Sequence, residues 1–151
     1  VVIISIIALM ASVYLMDFVY RTSLNSNVIG AQQFLLEAQN YAKTKSQEVT
    51  ITFTDKTAQI TKPDGTILNS MTFDDNIEYI SANSSISGDA IIYNFKGSPI
   101  VSTGGDPLDF TDTNNTVAFC YKHHEDCKYN KEIIINPITG TIREAGTRDD
   151  F

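Results

Sequence analysis

Cys120 and Cys127 bracket the segment CYKHHEDC, the densest collection of reactive side chains in the 151 residues. Six residues between two thiols fit a small loop closed by a disulfide, and an oxidised pair implies export from the cytosol. The competing chemistry is a metal site using both thiols with His123 and His124. Four ligands crowded into eight residues lack the paired spacing of a zinc knuckle or finger, so the disulfide is the expectation. His123 and His124, followed by Glu125 and Asp126, are also of the type that binds metal or senses pH; the plainer reading is a solvated loop tip. Asp106, Asp109 and Asp112 with Asn114 form an oxygen-rich run suited to calcium, but without the glycine and terminal glutamate of an EF-hand loop. They are weak candidates, and no cofactor is expected. No Gly-x-Ser-x-Gly, Walker loop, dinucleotide fingerprint or His-Glu-x-x-His occurs, so the chain is not read as an enzyme. The sequons at Asn83 and Asn114 point to exposed loops.

The elements that carry these residues follow from a lopsided distribution of charge. Residues 1–16 hold no charged side chain, and all 11 basic and 18 acidic residues lie from Asp17 onward. The run VVIISIIALMASVYLMDFVY is apolar on every side of a helix, the pattern of a helix buried in lipid or in a bundle. Sixteen uncharged residues reach about 24 Å, a little short of a hydrocarbon core about 30 Å thick; a few preceding residues would complete a span. No basic region precedes the run and no small-residue cleavage site follows it, so it is not read as a secretory signal. Its apolar residues Val1, Val2, Ile3, Ile4, Ile6, Ile7, Leu9, Met10, Val13 and Leu15 are the candidates for an assembly helix.

Past Asp17 the helix turns amphipathic. Val28, Ala31, Leu35, Ala38 and Ala42 fall at helical spacing, flanked by Phe34 and Tyr41, while Gln32, Gln33, Glu37, Asn40 and Lys43 mark a polar side. Gly30, at about 1 kcal/mol, and the polar patch 22–27 predict a weak middle, prone to bend or melt. From Val49 the period becomes two: Val49, Ile51 and Phe53 alternate with threonines. Turn signals at Asp55-Lys56 and Pro63-Asp64-Gly65 predict a meander continuing through 57–62 and 66–73. Further strands are expected at 77–81, 90–95, 116–122, 132–136 and 141–144, the last two joined by a turn at 137–140. Residues 96–115 read as a surface loop with at most one short strand near 99–102. The fold class is therefore α+β: a long N-terminal helix packed on an antiparallel sheet, with a membrane or filament-core segment at 1–24 and a globular head at 25–151.

The opening VVIISIIALMAS resembles the apolar segment after the processing site of type IV pilins and type II secretion pseudopilins. NFKGSP at 94–99 and IIINPITGTIRE at 133–144 are similar to two signature stretches of the H-type minor pilins and pseudopilins, the group that includes the FimT proteins. The resemblance covers most of the chain. It departs in three places: the family's aromatic first residue and fifth-position glutamate would both lie before Val1, and the usual proline near 16–20 is absent. What the resemblance implies is a structural subunit of an extracellular pilus-like filament, held in the cytoplasmic membrane before assembly. Its partners would be further copies, other pilins and the pilus or secretion assembly machinery. A minor pseudopilin of a secretion or competence system is the alternative; a membrane-anchored exported domain outside any filament is a plainer one. Some FimT-like proteins bind DNA through a basic C-terminal region. Here Lys122, Lys128, Lys131, Arg143 and Arg148 face Glu125, Asp126, Glu132, Glu144, Asp149 and Asp150, and the net charge is -7. Nucleic acid is not an expected partner, and neither is electrostatic capture by anionic lipid.

Overall fold

The computed structural model describes residues 2–84, 86–100, 116–123 and 126–145, and the side chains of all of these except 2–11, 13 and 87. A single helix, α1 (Val2–Lys45), runs 44 residues, about 66 Å at 1.5 Å per residue. Leu24, Val28, Ala31, Leu35, Ala38 and Ala42 recur every three or four residues and are all at most 1% exposed, so this face is the stripe that the head covers. The helix ends on Lys43 and Lys45, cations that suit the negative end of its dipole. Ser46 then takes a left-handed φ of 50°, the Ser46 N–H reaches Lys43 O, and the Gln47 N–H donates to Ala42 O at 3.1 Å. That paired closure satisfies two carbonyls of the last turn.

Two antiparallel sheets follow. The first contains β1 (Val49–Phe53), β2 (Thr57–Thr61), β3 (Ile67–Thr72), β5 (Ala90–Tyr93) and β6 (Pro99–Ile100), in the order β3-β2-β1-β5-β6. The second contains β4 (Ile77–Tyr79), β7 (Thr116–His123), β8 (Asp126–Ile135) and β9 (Ile142–Glu144), in the order β4-β7-β8-β9. Ile51, Ile60 and Tyr93 from one sheet and Ile77, Phe119, Ile133 and Ile135 from the other meet the buried stripe of α1 in one core. Aromatic rings join the sheets: Phe53 stacks on Tyr79 at 5.1 Å, and Phe73 meets Phe119 edge-on at 5.2 Å.

Three expectations need correction. The head is two sheets rather than one, because β4 leaves the meander and pairs with β7, placing Ile77 opposite Tyr121. The second strand of the cysteine hairpin begins at Asp126, not near 132. Its first residues are exposed without alternation, so no period-2 signal marks them. The polar patch at 22–27 does not melt; α1 is helical throughout it, for reasons that lie in the head. Position 99–100 forms the short strand foreseen in the loop, and residues 101–115, with Asp106, Asp109, Asp112 and Asn114, lie outside the described residues.

Candidate functional site

The surface that could make contacts with other molecules is built on α1, and three clamps set how α1 is presented. The first lies where charge begins. Lys128 of β8 pairs with Asp17 at 3.0 Å and sits over the ring of Tyr20 at 5.3 Å. Arg21 lies 4.6 Å above the Tyr129 ring, and Tyr20 stacks on Tyr121 at 4.6 Å. Cation–π and ring contacts of this kind are each worth about 0.5–1.5 kcal/mol, so one turn of α1 is held by several modest contacts at once. Tyr121 and Tyr129 are direct partners across the β7–β8 ladder, and the Cys120–Cys127 disulfide, with Cα atoms 5.7 Å apart, cross-links the two strands beside them. The hairpin is thereby a braced support for Tyr20.

The second clamp explains why the polar patch stays helical. Asn27 is buried and its amide donates to Asp74 Oδ2 at 2.8 Å and to Ser23 O at 3.0 Å, while the Asp74 N–H donates to Asn27 Oδ1 at 3.1 Å. Ser23 Oγ donates to the same carboxylate at 3.0 Å. A buried amide with its donors and acceptor met is not a weak point but a register mark.

The third clamp joins both sheets to α1. Gln39 is buried, and its Nε2 donates to Gly97 O at 2.8 Å and to Gly140 O at 3.2 Å. Gly97 belongs to the turn between β5 and β6, and Gly140 to the turn between β8 and β9. Both have positive φ, 76° and 68°, and a Cβ on Gly140 would lie 2.7 Å from Gly97 O. The segments 94–99 and 133–144, singled out in the sequence as two separate stretches, thus meet at one amide.

Sequence reasoning passed over Gln39 and misread Asn27. A signal was present: Gln39 is four residues from Leu35 and three from Ala42, and Asn27 is three from Leu24 and four from Ala31. A polar residue on the apolar stripe must find partners when buried.

Electrostatics are concentrated on the second sheet. Glu78 sits 2.5 Å from Lys122 and 3.2 Å from Lys56. The hydrogen bond from Lys122, and after it that from Lys56, holds the Glu78 carboxyl below its ordinary range. Burial pushes the Tyr93 hydroxyl pKa upward. Among the described residues, no three His, Cys, Asp or Glu side chains come together as a metal site. His123 lies at the hairpin end, 5.9 Å from the Tyr20 ring; His124 and Glu125 are outside the described residues.

Of the assembly candidates, Leu15 is described and is 63% exposed. Val1 lies outside the described residues. Val2, Ile3, Ile4, Ile6, Ile7, Leu9, Met10 and Val13 belong to the helical backbone of α1, with their side chains outside the description. Tyr14, Met16, Phe18 and Val19 are exposed beside Leu15, between 53% and 78%. Within the described residues, no helix is long and apolar enough to cross a membrane.

No protein-family model and no curated protein sequence matches the chain. Solved structures do. The crystal structure of the type IV minor pilin FimU of Pseudomonas aeruginosa superposes with a TM-score of 0.60 at 14% identity, covering 85% of this chain and 92% of FimU. A second crystal form of FimU gives 0.57. The chain has the pilin-like fold. The minor pseudopilin EpsH of the Vibrio cholerae type 2 secretion system shares it, with a TM-score of 0.56 at 11% identity, covering 82% of this chain and 96% of EpsH. Within this pilin-like fold, the long helix and the antiparallel head are the elements that the sequence predicted, and the three clamps are what join them.

Proposed function

We propose that the chain is a structural subunit of a pilus-like filament, assembled through the apolar first half of α1. One observation carries this reading. Tyr14, Leu15, Met16, Phe18 and Val19 are exposed by more than half, where the run of sixteen uncharged residues ends, on a helix whose later turns are firmly docked. An apolar surface this contiguous calls for a partner outside the chain. Lipid and a bundle of like helices both keep helical backbone groups satisfied, so transfer from membrane to filament exchanges one apolar setting for another. The subunit is therefore held in the cytoplasmic membrane until the assembly machinery draws it into an extracellular filament. The disulfide is consistent with an exported head.

The likeness to EpsH supports a second reading, a pseudopilin in a secretion system, which shares the architecture and differs in the machine served. The two readings separate in one experiment: electron microscopy of filaments sheared from native cells, with mass spectrometry of their subunits. Recovery of this chain in the filaments, and its loss from them on Leu15→Asp while the head still folds and reaches the membrane, is the expected result. Recovery from membranes alone, with no change on Leu15→Asp, would sink the filament reading.

A further inference from the structure

The contacts around Asp17–Arg21 do more than fix the helix. Three tyrosines, Tyr20 of α1 with Tyr121 and Tyr129 of the hairpin, meet just past the end of the uncharged run, and Tyr14 lies six residues earlier on α1. Tyr20 and Tyr121 are stacked at 4.6 Å, with Tyr121 only 5% exposed as the inner ring, while Tyr14 and Phe18 of α1 are 78% and 67% exposed. Arg21 and Lys128 lie over the rings at 4.6 and 5.3 Å, and the first acid, Asp17, is paired with Lys128. From Tyr14 to Arg21 the helix rises about 10 Å, comparable with the 5–8 Å or so of one headgroup layer outside a hydrocarbon core of about 30 Å.

We propose that this collar of tyrosines and cations, contributed jointly by α1 and the disulfide-braced β7–β8 hairpin, seats the head in the headgroup layer of a phospholipid bilayer before assembly. The proposal rests on the membrane-held stage of the function proposed above and adds the hairpin as a lipid contact. The residue types choose lipid over a second copy. Helix–helix contacts in an apolar medium favour small residues that allow close approach, whereas tyrosine has an apolar body and a polar tip that belong at an apolar–aqueous boundary. The charged ends of Arg21 and Lys128 already lie over ring faces, and Lys128 is also paired with Asp17, so the collar brings no uncommitted cation to the boundary. The head's net charge of -7 opposes general attraction to anionic lipid, so seating depends on the rings and persists at high salt.

The chain contains no tryptophan, so single tryptophans report position cleanly. The full chain is placed in phosphatidylethanolamine–phosphatidylglycerol vesicles containing a lipid with a nitroxide on its headgroup, and tryptophan emission is read. Tyr129→Trp and the exposed-site variant His123→Trp probe the hairpin, Tyr14→Trp probes the helix, and Phe95→Trp probes the far end of the head. The expected result is loss of emission at positions 14, 123 and 129, retained at high salt, with none at 95. Loss at 14 alone overturns the collar and leaves the membrane-held subunit standing. No loss at 14 overturns both. Hairpin emission that changes only as protein is crowded in the bilayer, with no quenching by the nitroxide lipid, assigns the collar to a second copy instead.

Discussion

Replacing Gly140 with alanine tests whether the convergence of two glycine turns on Gln39 holds the pilin-like head on its helix. At φ 68° any residue with a Cβ costs about 1–2 kcal/mol in backbone conformation alone. The added Cβ would also lie 2.4 Å from Gln39 Nε2 and 2.7 Å from Gly97 O. The amide can swing away, but Gly97 O is backbone, so the turn itself must shift. Displacing Gln39 deprives two buried carbonyls of their donor, and an unsatisfied buried polar group costs about 1–3 kcal/mol. Together the loss is roughly 2–5 kcal/mol, a large part of the roughly 5–15 kcal/mol by which a domain is stable. Gly65 supplies the control: its φ is 83°, yet a Cβ there meets nothing within 4 Å, so Gly65→Ala carries the conformational cost only. Urea unfolding of both variants of the full chain, followed by circular dichroism in the same detergent, is the assay. With a denaturant slope of about 1–3 kcal/mol per molar, the Gly140→Ala midpoint should lie roughly 1 M below that of Gly65→Ala. Equal midpoints for the two variants would refute the reasoning, since they would mean that the contacts at Gln39 contribute nothing.

Two further perturbations test the physics of the head. The Tyr93 hydroxyl is fully buried and, among the described residues, has no hydrogen-bond partner; removing an unsatisfied group should be neutral or stabilising by up to about 1–2 kcal/mol. A Tyr93→Phe variant that unfolds at clearly lower urea would show that the hydroxyl does have a partner. Glu78 is held below its ordinary value of 4.5 by Lys122 first and then Lys56. Its contribution to stability is therefore present above that value and is lost as pH falls through the lower folded value. Glu78→Gln should lower the unfolding midpoint at neutral pH by a modest amount, since both lysines are partly exposed. The gap from the parent should close in acid; a gap that stays constant with pH would place the effect in packing instead.

Much of the fold was legible because it rests on local periodicities. Valine and isoleucine alternating with threonine marked β1, and Pro63-Asp64-Gly65 marked the turn before β3. The buried stripe of α1 could be read from Val28 to Ala42 because side-chain spacing on a helix is fixed by its geometry. The start of β8 was not legible, since Asp126, Cys127 and Lys128 are exposed in succession and exposure leaves no hydrophobic pattern to detect. Nor was the move of β4 into the second sheet, because a three-residue strand carries the same local signature whichever neighbour it joins.

The candidate assembly surface divides along the same line. By itself, the sequence determined that the first sixteen residues are uncharged, that a helix follows with one apolar face, and that two cysteines lie close enough to close a small loop. These are properties of composition and spacing, and they hold before any distant residues meet. Only the tertiary structure decided that Asn27 registers the helix against Asp74, that Gln39 receives both glycine turns, and that the disulfide hairpin stands beside Tyr20. Each of those contacts joins residues far apart along the chain, through buried hydrogen bonds or stacked rings whose partners are fixed by packing rather than by neighbouring sequence. Polar residues on an apolar stripe were the trace they left in the sequence, and the folded chain supplied the partners that a buried amide requires.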